Sequence, residues 1–181
     1  CSGTTTAHGV FKGIKETVLY ALGKANLAGV SVAVQGIGNV GSTLVDLLLA
    51  EGAKVFIADV EPSKLEKYAD VATIVSNDEI HRIPCDVFAP CAVGEIINDA
   101  TITELRCKII AGGANNQLKD ETEHAKKLHE MGILHAPDFV INAGGVCHGM
   151  CEVKGVDISH AMQKTDLIPG ILRTVYNRSK K

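Results

Sequence analysis

The chain has 181 residues, 46% hydrophobic and 22% charged, with a formal net charge of −3. That balance is globular rather than disordered, and the lack of a dense Lys/Arg block argues against a nucleic-acid partner. No uncharged apolar run reaches the roughly 18 residues that span a bilayer, and the polar start from Cys1 to His8 has no signal-peptide core. The expectation is a cytoplasmic, single-domain protein with no membrane partner. Its six cysteines (Cys1, Cys85, Cys91, Cys107, Cys147 and Cys151) then read as reduced thiols.

In chain order, Val10, Phe11, Ile14, Val18 and Leu22 recur at three- and four-residue spacing and predict an amphipathic helix over residues 6–25. A β-branched run at 31–35 reads as a strand, and Val40, Leu44, Leu47 and Leu48 predict a helix over 39–51. Next come a strand at 54–59, a helix at 61–68 with Pro62 in its first turn, and strands at 71–75, 86–89 and 107–111. A helix at 118–131, a strand at 139–141 and a helix at 158–179 complete the pattern. Several strands are nearly continuous apolar runs, as expected for burial on both faces. Strands alternating with helices build a doubly wound, mostly parallel α/β sheet flanked by helices.

The first chemical motif is Gly36-Ile37-Gly38-Asn39-Val40-Gly41. Glycine-rich turns are common, but this one follows an apolar strand and opens a helix, the context of a Rossmann-type nucleotide site. Gly36 permits the tight turn, Gly38 lets a pyrophosphate approach the backbone, and Gly41 lets helix pack on strand. The helix N-terminus adds free N–H groups and the positive end of its dipole. Asp59 ends the next strand, where a carboxylate accepts hydrogen bonds from an adenine-ribose diol. It repels a 2′-phosphate, and the adjacent Val60 supplies no cation, so NAD is expected over NADP.

Three further segments are placed at strand ends, where open α/β sheets bind ligands. They are 88–92, 111–117 and 140–145, each rich in small residues, and the last two supply asparagine. Alone, each is as readily a plain strand-to-helix turn; three in one sheet point to a ligand cleft.

These motifs, with Thr6-Ala7-His8-Gly9-Val10, Cys85 to Ala92 and Gly132 to Phe139, resemble the glutamate/leucine/phenylalanine/valine dehydrogenases. The resemblance is to the leucine and phenylalanine dehydrogenase branch, runs from about residue 5 to 152, and fades toward 179. It implies that Thr6, Ala89, Cys91, Ala111 and Asn142 surround the nicotinamide and its ribose. It implies that Asn116 reaches the substrate end of the cleft, and that Val146 and Gly149 line the side-chain pocket. The implied reaction is reversible NAD-dependent oxidative deamination of an apolar L-amino acid to its 2-oxo acid and ammonia. Gly149 leaves volume for a large or aromatic side chain.

The family also carries an N-terminal domain whose lysines bind the substrate carboxylate and activate water. No lysine here has that setting: Lys12, Lys15 and Lys24 read as the polar side of the first helix. The chain is therefore expected to be the cofactor half of a longer, homo-oligomeric enzyme, with no catalytic residue of its own and its N-terminal partner domain elsewhere. A stand-alone NAD-binding or sensing module is the other reading. Cys147 and Cys151, at i and i+4, read as small buried thiols rather than metal ligands, because His148 points away from them. Cys91 has no paired base and no role as a nucleophile in hydride transfer. His8, His81, His124, His129, His135 and His160 read as surface or loop residues. Arg173, Arg178, Lys180 and Lys181 read as a solvated helix end.

Overall fold

The structure is a computed structural model that describes residues 2–180. Cys1 and Lys181, and with them the reading of one as a reduced thiol and of the other as part of a solvated end, lie outside the described residues. In chain order the elements are α1 (Ser2–Leu22), β1 (Ser31–Gln35), α2 (Asn39–Ala50), β2 (Lys54–Ala58), β3 (Thr73–Ile74), β4 (Cys85–Pro90) and β5 (Cys107–Ile110). They continue with α3 (Glu121–Glu130), β6 (Leu134–His135), α4 (Asp138–Ile141), α5 (Gly144–Lys154), α6 (Ser159–Lys164) and α7 (Ile168–Ser179).

The two-residue period of the strands divides their side chains between two cores. Val32 and Val34 of β1, Val87 and Ala89 of β4, and Ile109 of β5 enter one core, which also takes Val10, Ile14 and Val18 of α1 and Leu44 and Leu48 of α2. Ala33, Phe88 and Ile110 enter the other, beside Leu128 of α3. Burial on both faces is why these runs carry so few polar residues. All pairings are parallel, and the strand order is β3-β2-β1-β4-β5-β6. The order reverses between β1 and β4, and that is where an open sheet leaves a crevice beyond its strand ends.

Several expectations need correction. The first helix begins at Ser2 and stops at Leu22, with Gly23 in the left-handed region at φ 67°. Residues 61–68 form two short 3-10 turns, Pro62–Lys64 and Glu66–Tyr68, the second pinned by the Tyr68 hydroxyl donating to Ser42 O and Asp46. The expected strand at 139–141 is the helix α4. Pro137 and Asp138 open it as a helix start, with Val140 and Ile141 N–H both donating to Pro137 O. The outer strand is instead β6, and α5 went unread as an element. Nor are the basic side chains merely solvated. Lys12 reaches Asp166 at 2.6 Å, Lys15 reaches Glu51 at 3.0 Å, and Arg173 makes a two-pronged pair with buried Glu16 at 2.7 and 2.9 Å. His81 and His124 are buried and bonded to Glu104 and Asp99.

The seam between α1 and α4 relies on Gly13. A Cβ there would lie 2.5 and 2.7 Å from the Ile141 side chain. Gly13→Ala improves helix propensity by about 1 kcal/mol. Overpacking of about 1–3 kcal/mol should reverse that gain, so the urea midpoint is expected to fall. Combining it with Ile141→Ala should cost less than the sum of the two single changes, because the clash disappears. Additive costs would show that Gly13 and Ile141 do not share this contact.

Candidate functional site

The crevice edge is built around the turn after β1. Gly36 sits at φ 92°, and a Cβ on it would lie 2.6 Å from the Ala92 Cβ; its N–H donates to Ala58 O at 2.8 Å. A Cβ on Gly41 would lie 1.8 Å from Gly36 O, so α2 seats against the turn only without a side chain there. Gly38 is exposed with no atom within 4 Å of its Cβ position, and no side chain caps α2. An open cradle beneath uncapped N–H groups at a positive helix end fits a pyrophosphate. Ile37 is buried, Asn39 exposed and Val40 half-buried over the turn.

Asp59 follows β2 and faces that turn. One carboxylate oxygen accepts from Ile37 N–H at 2.6 Å and the other from Glu61 N–H at 2.9 Å. Burial works against its ionisation, but these donors and Lys64 outweigh it and hold the carboxyl below the usual range. Lys64 Nζ stands 3.6 Å from Asp59 and 3.2 Å from Glu61, a cation that sequence reasoning missed because it lies on the turn beyond the strand. Val60 is 77% exposed and uncharged.

The loops after β4 and β5 close in beside the turn. Cys91 N–H donates to Gln35 O at 2.7 Å, and a Cβ on Gly113 would lie 2.8 Å from Val40 Cγ1. Ala89 and Ala111 are fully buried, so they contribute small size and backbone rather than exposed side chains. Burial pushes the Cys91 thiol up to about 11, which leaves it a protonated packing residue. Beyond these loops lies a cavity of about 390 Å³ lined by Asn115, Asn116, Asp138, Phe139, Asn142 and Val146. Asn116 takes φ 50°, and Asn142 Nδ2 donates to Asn115 Oδ1 at 2.6 Å. Asn142 follows the helix α4, not a strand as expected, yet still reaches the cleft. Gly149 lies one turn along α5 from Val146, with open space where a Cβ would be. Thr6 does not line that cavity; it packs on the start of α5, its Oγ1 2.8 Å from the Cβ position of Gly145. Cys147 and Cys151 are half-buried rather than buried, and His148 is turned toward Thr5 and Glu152.

The polar chain that holds the β5 loop was not foreseen. Gln117, fully buried, donates from Nε2 to Gly112 O at 2.9 Å and Ala114 O at 3.0 Å. Its Oε1 lies 3.2 Å from His135 Nε2, so His135 is the donor there. His135 is therefore a structural partner of Gln117 on strand β6 rather than a loop residue. Burial drives its pKa down to about 4, with Asp138 partly opposing the shift.

The sheet order and the glycine turn at its switch point define a Rossmann-type domain of the dinucleotide-binding class. The family model for Glutamate/Leucine/Phenylalanine/Valine dehydrogenase matches residues 57–167. Leucine dehydrogenase of Bacillus cereus is 42% identical over 178 residues, covering 97% of this chain and 48% of its own length. Phenylalanine dehydrogenase of Lysinibacillus sphaericus is 40% identical over 185 residues, covering 98% and 48%. L-tryptophan dehydrogenase from Nostoc punctiforme superposes with a TM-score of 0.95 at 41% identity, over 98% of this chain and 54% of that one. The chain belongs to the glutamate/leucine/phenylalanine/valine dehydrogenase family, and it spans about half the length of the curated relatives it matches.

The half-buried His135 makes stability depend on pH. The unfolded chain takes up a proton near pH 6.5 and the folded chain only near 4. Between those values the unfolded state binds more protons, so stability is full above about 6.5 and falls as pH drops, by about 3 kcal/mol at most. Urea unfolding from pH 7.5 to 4.5 should show this slope, and His135→Gln should flatten it. Equal slopes in the two proteins would contradict the assignment.

Proposed function

We propose that this chain is the NAD-binding half of an amino-acid dehydrogenase that reversibly deaminates an apolar L-amino acid to its 2-oxo acid and ammonia. The observation that carries the reading is a convergence at one sheet edge. The open Gly38 cradle and Asp59 stand at one end of the crevice, and an amide-lined cavity stands at the other. The nicotinamide, when bound, supplies the hydride acceptor. Gly36 and Gly41 seat α2 against the turn, Gly38 lets the pyrophosphate approach backbone, and Asn39 and Val40 present the amides of the first helical turn. Asp59 keeps unused lone pairs for the ribose diol after accepting from Ile37 and Glu61.

Thr6, Ala89, Cys91, Ala111 and Asn142 would then surround the ribose and ring, with the buried alanines keeping the floor flat. Asn116 would meet the polar end of the substrate, Val146 and Gly149 its side chain. Larger side chains fit because Gly149 leaves space, and each methylene shifts discrimination by only about 1–3 kcal/mol. Support for an apolar substrate comes from relatives whose names are leucine, phenylalanine and L-tryptophan dehydrogenase. Lys12 and Lys15 are ion-paired on α1 away from the cavity, so the chain alone is assigned binding without turnover. The lysines for substrate carboxylate and water would come from a partner domain, in a cytoplasmic homo-oligomer.

Fluorescence titration with NADH and NADPH tests the cofactor assignment. NADH should bind at least about ten-fold tighter, since Asp59 repels a 2′-phosphate and Lys64 is already engaged by Asp59 and Glu61. Asp59→Ser should weaken NADH and narrow the gap. Equal affinity of the unaltered chain for both would refute the role given to Asp59.

A further inference from the structure

We infer that His148 is a positioning residue for the nicotinamide end of the cleft, an inference that rests on the dinucleotide reading above. The N-terminal turns of α1 and α5 meet with almost no side chain between them. A Cβ on Gly144 would lie 2.6 Å from Thr5 O and 3.2 Å from Thr6 Cα, and one on Gly145 2.8 Å from Thr6 Oγ1. Such a backbone contact lets the helices approach closely but offers little to fix how far one slides along the other.

His148, one turn further along α5, supplies the missing fixture. It is 3% exposed, its Nδ1 is 3.2 Å from Thr5 Oγ1, and its Nε2 is 3.2 Å from Glu152 Oε1. A carboxylate only accepts, so Nε2 carries the hydrogen and donates to Glu152. In the neutral ring Nδ1 is left to accept from the Thr5 hydroxyl. Glu152 thus orients the ring, and the ring ties α5 to α1 across 143 residues of sequence. Both sides of this tie lead directly into the cleft. Thr6 adjoins Thr5, while Val146 lies on the same helix as His148 and Asn142 two residues before its start. The tie holds these side chains in one arrangement, and a misplacement of about 1 Å in such a constellation carries large losses. The side-chain hydrogen bonds of His148 go to Thr5 and Glu152, whereas Asp59 bonds the glycine turn through Ile37.

That separation gives the test. ADP carries the adenosine and the two phosphates of NADH but neither the nicotinamide nor its ribose. Both ligands are titrated by calorimetry into the unaltered chain, His148→Ala and the near-isosteric Thr5→Val. Each variant should weaken NADH about ten-fold while leaving ADP within about two-fold. Glu152→Gln should give the same pattern more weakly. Equal losses for the two ligands would assign His148 a merely structural role and overturn the inference, as would no loss for either. An unaltered chain that binds neither would overturn the dinucleotide reading and this inference with it.

Discussion

The cleft depends on one steric constraint. The first turn of α2 rests directly on the carbonyl of Gly36, so close that a single methyl on Gly41 would collide with it. From that contact follow the direction of α2, the aim of its free N–H groups and the openness of the cradle at Gly38. The β4 loop is held to the same turn through Cys91 N–H and Gln35 O, and the β5 loop rests on Val40. A change at this point would therefore disturb three loops rather than one.

Around this steric centre the fold uses buried and half-buried polar groups, with their partners, as fixtures. Gln117 and His135 hold the β5 loop, Asp59 holds Ile37, and Arg173 fixes Glu16 between α7 and α1. Each has a hydrogen-bond partner and each ties distant stretches of chain. Cys85 and Cys107, neighbours across β4 and β5, show the complementary case. Burial pushes both thiols up to about 12, so they behave as small apolar side chains.

Much of this was legible in the sequence. The period of Val10, Ile14 and Val18, the apolar strand runs and the glycine turn followed by Asp59 depend on local pattern, and the structure keeps them within a few residues. What was illegible depends on partners far along the chain. His81, His124 and His135 look like loop residues until Glu104, Asp99 and Gln117 are brought to them. Residues 139–141 have the composition of a strand, but the helix start at Pro137 and Asp138 prevails over that propensity. Val146, Asn142 and Asn116 share a cavity only because α4 and α5 fold back beside the β5 loop. Their grouping came from family resemblance, not from spacing.

Hydrogen exchange with and without saturating NADH tests the central claim most directly, because it reports on every backbone amide at once. The account predicts that slowed exchange concentrates at residues 36–42 and 59–61 and in the loops 89–94 and 112–116, with α3 unchanged. Protection confined to another surface, or none at these amides despite saturation, would contradict a cofactor cleft at the switch point between β1 and β4.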